Sequence, residues 1–308
     1  MTEDPHAATR TLLVAELDAE RFSHPEYLTW LYDQNPRGPA IIENENDESG
    51  ERVGHYGVLP ARFRHGTKIV PFIFSSNVAT DSTARKSGLF RQMAQRMYDR
   101  AAATGAPAMV GVGNDESTVV VVERFGWSRV APMRAKLAWG LPTRSVQSHR
   151  VTSDFLQSRE FVQLTGFLEH IHVHEWAQHW DSDFLRWRLS RPDGGYVMHT
   201  HDDALAISVG APGPGRLPFA VLLKVWPKHE TAKPLHANRF VGGALVAHRA
   251  VACVYAGWNR STHVRGITIP HRLQPSPLNV VLKVLEPNAF ENDSFRLDTF
   301  EFLDMDAY

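Results

Sequence analysis

The sequence holds a single cysteine, Cys253, in 308 residues. One thiol cannot close an internal disulfide and excludes a cysteine-rich zinc site, which fits a reducing compartment. An excess of charge of either sign is also missing. The 33 lysines and arginines nearly cancel the 34 aspartates and glutamates, so no global field favours nucleic acid or an anionic membrane surface. No apolar run approaches the roughly 18 residues a membrane span needs, and Met1-Thr2-Glu3-Asp4-Pro5-His6 has no basic region leading into an apolar core. A cytoplasmic protein with no nucleic-acid or membrane partner is therefore expected. What is present, 43% hydrophobic residues over this length, is enough for two domains of ordinary size.

The local patterns alternate between strand and helix. Residues 7 to 22 suit a short helix or a strand equally. Ser23-His24-Pro25-Glu26 has the form of a helix N-cap ahead of Tyr27-Leu28-Thr29-Trp30-Leu31-Tyr32, with a stop near Asn35-Pro36-Arg37-Gly38. Residues 40–43 and 52–58 read as strands of a hairpin, and a third strand runs from Lys68 to Val78. Leu89, Met93, Met97 and Ala101 then recur at i+4 against charged neighbours, the mark of a half-buried helix, and Gly105 and Pro107 stop it. A short buried strand follows at 108–112. Thr118-Val119-Val120-Val121-Val122 is β-branched and strand-like by propensity. Asn114 as N-cap, Asp115 and Glu116 at the dipole's positive end and Gly126 at the C-terminal stop argue instead for a helix.

Between the third strand and the long helix lies Arg85-Lys86-Ser87-Gly88-Leu89-Phe90. A helix start carries unpaired backbone N–H groups and the positive end of the dipole. Gly88 removes a Cβ there, and Arg85 and Lys86 add charge, so an anion is expected at this turn. A plain helix start with two solvated cations is the alternative.

The order and spacing of these parts resemble the GNAT superfamily of acyl-CoA-dependent N-acyltransferases. Val78 to Phe90 is similar to that family's motif A, a strand running into (Q/R)-x-x-G-x-(G/A), and Asn114 to Trp127 is similar to its motif B. The matched core runs from about Arg52 to Val130. The resemblance implies a mixed α/β sheet whose two central strands splay apart, with pantetheine in the gap paired to the strand near Val78 and Thr80. It implies pyrophosphate over Arg85, Lys86, Ser87, Gly88, Leu89 and Phe90, and Asn114 and Ser117 facing the pantetheine from the other side. Phe90 departs from the small residue that usually closes motif A. The tyrosine that often protonates the departing thiolate would align with Val122, which has no proton to give.

The second half echoes the first. Phe184-Leu185-Arg186-Trp187 followed by Arg191-Pro192-Asp193-Gly194 matches Tyr27-Leu28-Thr29-Trp30 followed by Asn35-Pro36-Arg37-Gly38, as an internal duplication would. Strand-like runs follow at 195–198, 204–209, 219–225, 240–247, 251–255 and 280–284, and none leads into an R-x-x-G-x turn. The expected organisation is an acyl-CoA-binding domain over 1–142, a polar linker over 143–160 and a degenerate GNAT-like domain on the acceptor side over 161–308. Tandem folds of this outline are similar to N-acyltransferases of nucleotide-linked amino sugars, so the expected substrate pair is acyl-CoA, acetyl-CoA in the simplest case, and a small polar primary amine.

Amide formation from a thioester requires a neutral amine, a route for its proton and donors for the oxyanion. The motif A strand offers only Ser75, Ser76 and Asn77 on the acceptor side. The candidate bases are His55, His199, His201 and Glu116, each also at home in a structural role. His170-Ile171-His172-Val173-His174 would place three imidazoles on one face of a strand. His-x-His is a metal-ligand spacing, but the family chemistry needs no metal and a solvated face is the expectation. The rival reading of the chain is a GNAT-like module that binds CoA or a partner without turnover. Acylation of a protein amino group is a third.

Overall fold

The structure is a computed structural model and describes residues 4–17, 19–84, 88–230, 232–274, 276–290 and 295–305. The chain begins with α1 (Ala7–Leu17), α2 (Tyr27–Asp33), β1 (Ile41–Asn46), β2 (Arg52–His65), β3 (Lys68–Thr80), α3 (Leu89–Ala102), β4 (Ala108–Asn114), α4 (Asp115–Phe125) and β5 (Ser128–Met133). It continues with β6 (Ala135–Ala138), β7 (Gln147–Arg150), α5 (Ser153–Gln157), α6 (Arg159–Thr165), β8 (Trp176–Gln178) and α7 (Ser182–Leu189). Then come β9 (Tyr196–His201), β10 (Ala204–Pro212), β11 (Pro218–Pro227), β12 (Leu235–His236) and α8 (Asn238–Ala247). The last strands are β13 (Ala252–Asn259), β14 (Thr262–His263), β15 (Gly266–Thr268), β16 (Leu278–Val284) and β17 (Leu297–Glu301).

Local chemistry accounts for the helices that frame the first lobe. In α3, Met93, Met97 and Ala101 are fully buried, while Arg91, Gln95 and Asp99 face water. In α4 the caps overrule the β-branched run. The Asn114 side chain accepts the Ser117 N–H at 2.8 Å, and Gly126 closes the helix at φ 66°, a conformation an L side chain resists.

One mixed sheet crosses the molecule in the order β5-β16-β4-β3-β2-β8-β17-β13-β11-β10-β9-β7. Two strands trade places across it. β6, which follows the first lobe in sequence, lies between β13 and β15 of the second. β16, which closes the second lobe in sequence, lies between β4 and β5 of the first. The lobes are thus interlocked, and one apolar core joins Leu28, Phe63 and Phe72 to Leu205, Ile207 and Phe300. The aromatic echo marks the point where they meet. Trp30 and Trp187 stack with ring centroids 5.1 Å apart, and each indole N–H donates to the other's backbone carbonyl, at 2.8 and 3.0 Å.

Four sequence expectations need revision. Residues 240–247 are not a strand but most of α8, with Phe240, Val241 and Ala244 buried on one face; a short apolar run carries no period that separates the two states. The polar stretch 143–160 is not a free linker, because it contains β7, paired to β9, as well as α5 and the start of α6, capped by Thr152 and Ser158. Ser23 does not cap α2: Glu26 precedes Tyr27 in helical conformation with no side-chain cap bond, and residues 20–23 form a 3-10 turn. The histidine-rich segment is a 3-10 turn over Gly166–His170 followed by irregular backbone, so the three imidazoles do not share a strand face.

Candidate active site

The first lobe opens between β3 and β4. They pair in parallel at Ile73 with Met109, Phe74 with Val110 and Ser75 with Gly111, and pairing stops there. On their outer sides each strand stays tied: β3 pairs with β2 as far as Thr80, and β4 pairs with β16 as far as Asn114. A wedge-shaped gap with backbone edges on both walls results, and backbone edges are hydrogen-bonding groups that a ligand can satisfy. A β-bulge sits at its apex, because Tyr56 opposes Val78 and Val58 opposes Ser75, so Ser76 and Asn77 share the single partner Gly57.

Small residues keep the apex narrow. A Cβ on Gly111 would meet Ser75 at 3.2 Å, and one on Gly113 would meet the Ser117 hydroxyl at 2.7 Å, so β4 approaches both β3 and α4 closely. Trp127 lies against Gly111 and donates its indole N–H to the Tyr98 hydroxyl at 2.9 Å. Tyr56 pairs its hydroxyl with Ser75 Oγ at 3.0 Å. At the mouth, Gly88 immediately precedes α3 at φ 80°, and among the described residues outside its chain neighbours no atom lies within 4 Å of where a Cβ would stand, which leaves the helix start open to approach from them. Arg85, Lys86 and Ser87 lie outside the described residues.

Phe90 packs against the core of the first lobe. Its ring stands 6.5 Å from Tyr56 and makes an edge contact with Phe125 at 4.9 Å, bridging α3 to α4. Leu89 and Val122 join the same cluster, which leaves Val122 a packing role. Asn114 and Ser117 are exposed at the start of α4 and bonded to each other, Asn114 as the cap. Thr118 beside them is fully buried, and its hydroxyl has no hydrogen-bond partner among the described residues. Sequence reasoning passed over Thr118 because it heads a β-branched run.

Behind the bulge is a buried polar relay that draws on β1, β2, β3 and α2. His55 Nδ1 lies 2.7 Å from Asn44 Oδ1, and its Nε2 lies 2.8 Å from the Tyr32 hydroxyl, which also accepts from Asn77 Nδ2 at 2.9 Å. Asn44 offers an acceptor, so Nδ1 carries the proton and Nε2 accepts from Tyr32. Burial, with Arg52 adding repulsion, pushes the His55 pKa down to about 3, and the imidazole is neutral at pH 7. Tyr32 and Asn44 had no motif to announce them; only the fold brings them to His55.

The other candidate bases are elsewhere. His199 and His201 are on β9, seven strands from β3 along the sheet. His199 is buried between Ser148 and Ser208 at 2.8 and 2.7 Å, with its pKa lowered to about 3, chiefly by burial. His201 is held by Asp203 at 2.5 Å and by Arg239. Glu116 is exposed in the first turn of α4.

The second lobe has the same opening, already filled. β11 pairs with β13 in parallel from Phe219 with Ala252 to Leu222 with Tyr255. Beyond that point β13 pairs with β17 instead, Gly257 with Glu301 through Asn259 with Thr299. Lys224 of β11 lies fully buried there, 2.6 Å from Asp304 and 3.3 Å from Glu301, and Tyr255 donates to Glu301 at 3.0 Å. A strand and an ion cluster thus occupy the second gap.

Residues 23–130 match the model of the acetyltransferase (GNAT) domain family. The match to that GNAT domain falls within the first lobe and begins well upstream of the Val78 strand end. A GCN5-related N-acetyltransferase from Anabaena variabilis is similar at 10% identity, over 90% of this chain and 69% of that one, with a TM-score of 0.59. Saccharomyces cerevisiae N-myristoyltransferase with bound myristoyl-CoA is similar at 8% identity over 89% of this chain and 78% of that one, also at 0.59. A GCN5-related N-acetyltransferase from Kribbella flavida is similar at 13% identity over 78% and 59%, at 0.52. At these identities the likeness is one of fold. No curated protein matches the sequence.

Proposed function

We propose that the chain transfers an acyl group from acyl-CoA, acetyl-CoA in the simplest case, to the primary amine of a small polar acceptor. The observation that carries this is the gap between β3 and β4, parted at Ser75 and Gly111 and flanked by the open helix start at Gly88. Val78 and Thr80 on one wall, Asn114, Ser117 and the unsatisfied Thr118 hydroxyl on the other, would line the pantetheine. Arg85 to Phe90 would take the pyrophosphate. The amine would attack the thioester carbonyl directly: the new C–N bond replaces the C–S bond, the thiolate leaves, and one proton passes from nitrogen to solvent or sulfur. A cysteine relay is disfavoured because Cys253 is fully buried on β13, where burial lifts its pKa to about 12.

The comparable short parallel pairings, three rungs in the first lobe and four in the second, the Trp30–Trp187 pair and the exchanged strands support an internal duplication in which only the first copy keeps a cofactor gap. A nucleotide-linked amino sugar is the proposed acceptor, on the strength of that tandem outline. Release of CoA should be followed with acetyl-CoA and myristoyl-CoA against amino sugars, polyamines and peptide N-termini. Turnover confined to peptide N-termini would replace the small acceptor with a protein amino group.

A second reading has its own support. His55 is neutral and buried, and Val122 replaces a proton donor, which fits a lobe that binds CoA without turnover. Saturable CoA binding with no transfer to any amine would favour it.

A further inference from the structure

We propose that His172, His174 and Glu230 form a binding site for one divalent transition metal of the zinc class, apart from the acyl-transfer gap. The three side chains come from the segment before β8 and from the connection after β11, and their ligand atoms all lie within 4.8 Å of one another. His174 Nε2 stands 3.2 Å from Glu230 Oε1. Two ligands on one tetrahedral zinc at 2.0–2.1 Å lie about 3.3 Å apart, so that pair already has the spacing of a shared ion. The rings of His172 and His174 are 5.1 Å apart and nearly perpendicular, and the His172 ligand nitrogen lies within 4.8 Å of the other two ligand atoms.

The backbone presents the histidines outward. Val173 between them is buried, which turns its two neighbours to the surface. The half-turn is fixed from below by Asp298 of β17, whose Oδ2 accepts the backbone N–H of both His174 and Glu175, at 2.6 and 2.9 Å. On the other side Lys228 anchors the Glu230 segment: its N–H donates to the Asp203 carbonyl at 2.8 Å and its ammonium to the His201 carbonyl at 2.7 Å. Two imidazoles and one carboxylate suit zinc, cobalt or nickel rather than magnesium or calcium, which take oxygen shells, and three protein ligands leave a fourth position for water. A bound ion would tie the segment before β8 to the connection between β11 and β12.

The test uses the full chain, stripped with a chelator and titrated calorimetrically with zinc chloride, with cobalt chloride in parallel for the visible absorption of a low-coordinate site. One saturable equivalent is expected, with magnesium giving none. Changes outside the ligand shell alone weaken metal sites by about 10–100-fold, so H172A and H174A should each lose at least about tenfold in affinity. E230Q should weaken binding in the same direction. All three residues are exposed, and unchanged circular dichroism of the variants would establish that they fold. Absence of saturable binding would overturn the proposal. So would equal binding by the H172A/H174A double variant, which would assign the ion to others of the 16 histidines.

Discussion

Replacing His55 by glutamine should change how the protein responds to acid more than how stable it is at neutral pH. In the folded chain its pKa is depressed to about 3 because the ring is buried between Asn44 and Tyr32. In the unfolded chain it returns to about 6.5. Above pH 6.5 neither state binds a proton and the full stability is present. Between pH 6.5 and 3 the unfolded chain takes up a proton that the folded chain refuses, so stability falls as pH falls, by about 1.4 kcal/mol per pH unit. From pH 6.5 to pH 5 His55 alone should therefore cost about 2 kcal/mol. His199 is buried in the same way with the same pKa, and should add a similar loss. Urea unfolding at the two pH values measures this directly. Wild type should lose about 2 kcal/mol more than H55Q over that interval, and the double variant H55Q/H199Q should be flatter still. Identical pH slopes for wild type and H55Q would refute a neutral, desolvated His55.

Other substitutions test the parts that hold the lobes together. K224A leaves Glu301 and Asp304 buried without their cation and should cost about 3–5 kcal/mol in urea unfolding; a change below 1 kcal/mol would mean the cluster is hydrated. W30F and W187F each remove one of two reciprocal indole–carbonyl bonds and should each cost about 1 kcal/mol plus the lost ring contact. Their costs should be nearly equal, whereas a large effect from only one would deny that the pair is symmetric.

Much of the first lobe was legible in the sequence because its signals are local. The α3 stripe, the Asn114 and Gly126 caps and the alternating strands each specify an element within a dozen residues. The aromatic echo was legible as a pattern, and the two tryptophans it singled out stack on each other. The exchange of β6 and β16 was not, since two four-to-seven-residue apolar strands carry no mark of which sheet they will join. The segment at 240–247 was misread for the same reason. Gly88 precedes α3 and Asn114 caps α4, the helix-end positions their spacing suggested. The relay of Tyr32, His55, Asn44 and Asn77 assembles residues from four elements, and the pKa that makes His55 neutral follows from burial, which no motif encodes.

The most direct test of the central claim is a calorimetric titration of the full chain with acetyl-CoA, for wild type, R85E and G88L. One equivalent per chain is expected, because the second gap is filled by β17. R85E reverses a charge the pyrophosphate would meet, and G88L puts a side chain on the open approach to α3 at a backbone angle that resists it. Both variants should lose saturable binding while keeping the wild-type far-ultraviolet circular dichroism. Two equivalents per chain, or undiminished binding by both variants, would contradict an acyl-CoA site in the gap between β3 and β4.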